Sequence, residues 1–142
     1  MYLLDTHVVS ELRKAKSGTV DQNVLAWANS VSAPSLFLSV ITVLELETGI
    51  LLIERRDPAQ GAVIRSWLNT HVLPAFSEHI LPVDTAVAQC CAKLNVPDSH
   101  SGRDALIAAT ALIHGLTVVC RNTHDFVATG VELLDPWEPH LN

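Results

Sequence analysis

Cysteine, aromatic residues and positive charge are all scarce in this 142-residue chain, and each scarcity removes a class of explanation. Three cysteines, Cys90, Cys91 and Cys120, are too few and wrongly spaced for a disulfide framework or a zinc site, so a reducing cytoplasm is expected. Nine Lys and Arg stand against fifteen Asp and Glu, a formal charge of −6. That is the wrong sign for a protein that holds nucleic acid mainly by displacing counterions from phosphates. Any nucleic-acid chemistry must be local, with acids offset by metal, and the overall field suits a basic protein or peptide partner better. No apolar run approaches the ~18 residues of a membrane span and no basic start precedes a long apolar stretch, so neither a membrane segment nor a signal peptide is expected.

What the chain has in quantity is apolar side chain. Hydrophobic residues make up 49% and charged ones 17%, which excludes disorder and predicts one well-filled domain over residues 1–142. Short apolar runs recur: Tyr2-Leu3-Leu4, Leu36-Phe37-Leu38, Ile80-Leu81-Pro82-Val83 and Thr117-Val118-Val119-Cys120, with an edge strand from Val131 to Leu134. They are apolar throughout rather than alternating, which suits strands covered on both faces. Helical segments are expected between them, at 7–14, 22–31, 40–55, 59–75, 85–95 and 103–114. Asp21 is placed to cap the second, Asp57-Pro58 to start the fourth and Gly115 to close the last. This alternation predicts an α/β domain with a mainly parallel sheet.

Several acids fall where that architecture places ligands, in the crevice at the carboxyl ends of strands. Asp5 follows the first strand, where it either caps the next helix or faces the crevice. Asp104 opens the apolar segment from Gly102 to His114; Ser101 three residues earlier offers a capping-box reading, which leaves the preceding Arg103 unexplained because its charge opposes the helix dipole. Glu45 and Glu47 share one helix but lie about 200° apart around it, so only one can serve a site; Glu45, one turn from Gly49, is the better placed. Asn122 and Asp125 follow the Thr117–Cys120 strand and either shape a local turn or face Asp5.

Brought together, such carboxylates repel by roughly 3–4 kcal/mol per pair at ~4–5 Å and an effective dielectric near 20. They must take up protons or share a cation. With no Cys/His set to offer soft ligands, that cation is expected to be Mg²⁺ or Mn²⁺.

These segments resemble the motifs of PIN-domain nucleases. Tyr2-Leu3-Leu4-Asp5-Thr6-His7 through Leu12 is similar to their opening, and Leu38 to Leu46 with Gly49 to their second motif. Asp104 to Ala111 and Thr117 to Phe126 are similar to the third and fourth, and Asp135-Pro136-Trp137 to the end. The resemblance is strongest to VapC/FitB-like toxins of bacterial type II toxin–antitoxin systems. It implies a PIN-like three-layer α/β/α fold and Mg²⁺- or Mn²⁺-dependent RNA cleavage in the cytoplasm. A VapB/FitA-like antitoxin, a toxin homodimer and a hetero-oligomer with the antitoxin are implied as well. Asp5, Glu45 and Asp104 take the places of the main acids and of the metal site, with Asp5 and Asp104 as the direct metal ligands; Asn122 takes the fourth catalytic place and Asp125 supplies further charge. His7 replaces the usual Asn, either orienting water or phosphate or acting as a spacer, and Thr6, His7 and Arg121 are candidate substrate contacts.

Two other classes compete. A PIN-like binding module without catalysis is consistent with His7 and Asn122 and conflicts with three retained acids. A receiver-type signalling domain needs a lysine after a late strand, whereas Lys14, Lys16 and Lys93 all precede Thr117.

Overall fold

The computed structural model describes residues 1–96 and 102–139. Five short strands, β1 (Tyr2–Leu4), β2 (Leu36–Ser39), β3 (Ile80–Leu81), β4 (Thr117–Val119) and β5 (Leu133–Leu134), form one sheet in the order β3-β2-β1-β4-β5. Every pairing is parallel. Adjacent residues of a strand point to opposite faces, and here both faces are covered. Leu4, Leu38 and Val119 join one apolar cluster with Val8, Trp27 and Ile64, while Leu3, Val118 and Cys120 join another with Ile107 and Phe126. That double burial is why the strands read as unbroken apolar runs.

The helices are α1 (Thr6–Leu12), α2 (Gln22–Ser30), α3 (Val40–Arg56), α4 (Pro58–Trp67), α5 (Leu73–Ala75), α6 (Thr85–Leu94) and α7 (Gly102–His114). The expected boundary signals operate. Asp21 accepts from the amides of Asn23 and Val24, and Asp57 from that of Gln60 ahead of the Pro58 turn. Gly115 takes φ +67°, and the Leu116 amide reaches back to the Ala111 carbonyl at 2.9 Å, closing α7 in a Schellman turn. The expected continuous helix over 59–75 is not uniform: residues Leu68–Val72 form a π-helical turn before α5. Pro74 in the following turn has no amide to donate, so the regular ladder cannot run through it, and the Leu73 amide bonds back to Leu68 instead. The buried part of α7 runs from Ala105 to Ala111, leaving Leu112 and Ile113 exposed. The Ser101 capping box and most of the 97–102 loop lie outside the described residues.

Strand order reverses between β1 and β4. The chain winds outward from β1 through β2 to β3, then returns to lay β4 on the other side of β1. Leu4 pairs with Val119, and the Asp5 amide donates to the Val119 carbonyl at 2.9 Å. The ends of the two strands are therefore level, and a crevice opens between the connections that leave them.

The α3–α4 hairpin forms one wall. A Cβ added at buried Gly61 would stand 2.5 Å from Glu54 Cγ and 2.7 Å from Glu54 Cα. The Glu54 side chain can move; its backbone cannot without separating the helices. Gly61→Ala is expected to destabilise the fold by about 2 kcal/mol, read as a lower urea midpoint at unchanged slope.

Candidate active site

Asp5 sits at the switch point, buried at 7% exposure. It occupies the N-cap position of α1, where its carbonyl receives the Val8 and Val9 amides at 3.1 and 3.3 Å, yet its side chain makes no capping hydrogen bond. The carboxylate is thus left facing the crevice. Burial pushes its pKa above the ordinary value, and the Glu45 charge adds to this; the Thr6 amide and His7 offset it in part. His7 is exposed, with Nδ1 3.6 Å from Asp5 Oδ2.

Asp104, half-buried in the first turn of α7, is also held above its ordinary value. Burial is the main cause, followed by the charges of Asp5, Asp125 and Glu45. All four carboxylates therefore share one field, although they come from the ends of β1 and β4 and from helices α3 and α7. Asp125 lies exposed in the short 3₁₀ turn Thr123–Asp125. Exposed Asn122 starts that turn through its carbonyl, which accepts from the Asp125 amide at 3.0 Å.

Of the three α3 glutamates, Glu45 is the one beside the Asp5 crevice. The Thr6 hydroxyl donates to Glu45 Oε1 at 2.7 Å, and Arg103 Nη1 lies 3.7 Å from Glu45 Oε2. Glu47 instead pairs with Arg65, which also binds Glu54 at 3.2 Å and ties α4 to α3. Two candidate substrate contacts thus have other partners: Thr6 holds Glu45, and Arg121 lies over the Trp137 ring, 5.1 Å from its centroid. Arg103 is the residue whose part sequence reasoning left unassigned. Its one signal was a cation at the wrong end of a helix dipole, and the ion pair with Glu45 accounts for it.

Beneath these acids lies Cys120, fully buried at the end of β4. Burial, with Asp5, Asp135, Asp104 and Asp125 around it, pushes its thiol up to about 12. It stays protonated at neutral pH and cannot act as a nucleophile.

Among the described residues, no three His, Cys, Asp or Glu side chains are arranged to hold an ion jointly. A closed cage of protein ligands is therefore not what the crevice offers. The donor set is carboxylate oxygen, with Asp5 and Asp104 raised by burial and mutual repulsion, and it fits a hard cation such as Mg²⁺, which keeps several waters when held by one or two carboxylates.

Comparison with known proteins agrees with this architecture. Residues 2–131 match the model of the PIN domain. The chain is 38% identical to the VapC ribonuclease Y4jK of Sinorhizobium fredii, over 98% of this chain and 99% of that protein. It is 36% identical to toxin FitB of Neisseria gonorrhoeae, over 96% and 99% respectively. The crystal structure of FitAcB from Neisseria gonorrhoeae superposes with a TM-score of 0.87 at 35% identity, covering 96% of this chain and 99% of that one. With its β1–β4 crevice lined by acids and its match running almost from end to end, this chain belongs to the PIN domain family.

Proposed function

We propose that this protein is a divalent-cation-dependent endoribonuclease and the toxin of a toxin–antitoxin pair. The observation that carries the reading is the shared field of Asp5, Asp104, Glu45 and Asp125 in one crevice, with the two buried acids pushed toward protonation. Similarity to a VapC ribonuclease and to toxin FitB supports RNA as substrate and toxicity as outcome. A basic tail of an antitoxin complements both the acids and the net charge of −6. Leu44, Leu51 and Leu52, exposed along α3, give a partner helix an apolar stripe to meet.

In this reading Asp5 and Asp104 hold Mg²⁺ or Mn²⁺. The bound cation supplies charge neutralisation at the phosphate and makes a neighbouring water more acidic. Glu45, fixed through Oε1 by Thr6, accepts the proton of the attacking water. The water oxygen bonds to phosphorus as the bond to the 3′ oxygen breaks, leaving a 3′-hydroxyl and a 5′-phosphate. Asp125 adds outer negative charge, Asn122 steadies the surrounding water, and Arg103 restrains Glu45 from the far side.

Asp5→Asn or Asp104→Asn is expected to lower cleavage of a fluorogenic RNA by more than about a hundredfold. EDTA should abolish cleavage by the wild type and added Mg²⁺ or Mn²⁺ restore it; full activity of Asp5→Asn, or cleavage that persists in EDTA, overturns the mechanism. Thr6→Val should cost about tenfold and Thr6→Ser much less, since serine keeps the donor to Glu45.

The raised Asp5 carboxyl has a further consequence. Folded protein binds its proton more tightly than the unfolded chain, so the contribution to stability is full below the ordinary value of 3.8 and is lost as pH rises through the higher folded value. Without divalent cation, Asp5→Asn should melt above wild type at pH 7, and the gap should narrow as pH falls toward the ordinary carboxylate range. A gap that persists unchanged at pH 4 would mean that burial of the charge is not its cause.

A further inference from the structure

We infer that the pocket between the end of α1 and α4 is a second phosphate-binding subsite, which holds the RNA strand a few nucleotides from the bond that is cut. This rests on the ribonuclease reading and adds a substrate path to it. A cavity of about 490 Å³ opens there, lined by Arg13, Lys14, Lys16, Ser17, Trp67 and His71 together with a few neighbours. Three of the nine Lys and Arg of an acidic chain thus face one hollow.

Two other arginines are engaged by acids, Arg65 with Glu47 and Glu54 and Arg103 with Glu45, while Arg121 lies over Trp137 as Arg13 does over Trp67. Among the described residues no acid pairs with Arg13 or Lys16. Lys14 reaches Glu11 at 3.2 Å across one exposed helical turn, a pair weak enough for a phosphate to compete with.

This pocket is joined to the acids. Arg13 and Trp67 also line a narrower groove of about 140 Å³ that includes Thr6 and Glu45. Its floor is apolar, from Leu46, Ile50, Ile53 and Ile64, and its polar atoms lie on Thr6, Ser10, Arg13 and Glu45. From Thr6 to Arg13 the chain advances roughly 10 Å at 1.5 Å per residue. A single RNA strand, whose phosphates lie further apart than the roughly 3.4 Å per strand along a duplex axis, covers that in about two to three nucleotide steps.

Guanidinium, ammonium and hydroxyl groups together suit phosphate oxygens. The half-buried Trp67 ring carries Arg13 5.9 Å from its centroid, a stacked pair whose edge a base can extend. An acidic peptide fits less well. It would run into Glu45 and Asp5 at the near end of the groove, where a ribonuclease receives a phosphodiester.

The test measures binding of fluorescein-labelled single-stranded RNA of twenty and of two nucleotides, the shorter unable to span from the acids to the subsite, to the full-length Asp104→Asn protein in EDTA, as a function of salt. Adding Lys14→Glu and Lys16→Glu, both at exposed positions, should weaken binding of the longer RNA about tenfold. It should also lower the salt slope by about one to two and remove the advantage of the longer strand over the shorter. Unchanged affinity and slope overturn the subsite, as does an equal loss for both lengths. So does a lysine variant that still holds RNA but no longer binds a protein partner. Failure of the ribonuclease reading shows separately, as wild-type protein that binds the longer RNA and does not cut it with Mg²⁺ or Mn²⁺.

Discussion

Mutual repulsion among carboxylates that the backbone does not allow to separate is the constraint on which this molecule turns. Asp5 is fixed by its own amide, bonded to the Val119 carbonyl across the β1–β4 seam, and by its carbonyl, which begins α1. Its backbone cannot move away without breaking the seam between the two central strands. Asp104 is held by α7, whose alanine-rich face is buried against the sheet and α6. Both acids are therefore presented to one crevice at a cost to the metal-free protein. Relief must come from a proton or a cation, and a site that needs relief by a cation is suited to bind one.

The electrostatics of the remainder are arranged so that this negative field stays local. Glu47, two residues from Glu45, is drawn away by Arg65 into a bridge that also captures Glu54 and fastens the α3–α4 hairpin. Arg103 and His7 sit at the rim of the acids, close enough to orient them and exposed enough to move. Two of the three tryptophans carry an arginine on the ring face while Trp27 is core. Each such stack parks a cation at the surface without burying its charge.

Much of the architecture was legible because it rests on local rules. Strands covered on both faces must be apolar at every position, and the Leu3-Leu4 and Val118-Val119 pairs, one side chain to each core, are the outcome. Asp21, Asp57 and Gly115 act through neighbours within a few residues, so their parts could be read from spacing alone. Helical geometry shows that Glu45 and Glu47 point apart, and the structure sets Glu45 beside Thr6 and Arg103 and Glu47 against Arg65. What stayed out of reach is long-range pairing. The Thr6–Glu45 hydrogen bond joins residues 39 apart in sequence, and the choice at Asp5 between capping and facing the crevice depends on a side-chain torsion that no pattern encodes. The π turn at Leu68–Val72 was hidden because apolar spacing continues through it while the hydrogen bonds shift register around Pro74.

An acidic chain proposed to handle a polyanion faces a contradiction, which the positions of its few cations would resolve. Spreading nine basic residues evenly over this surface would leave every patch negative. Concentrating three of them at the end of α1, one groove away from the acids, makes a bipolar track instead. One end attracts phosphate directly; the other attracts it only through a divalent ion. On the proposed reading, a basic antitoxin segment would see the opposite pattern, favoured at the acids and repelled at the lysines. Substrate and inhibitor would then overlap where chemistry occurs and diverge along the rest of the groove. Inhibition can be tight under that arrangement without the inhibitor having to imitate the nucleic acid.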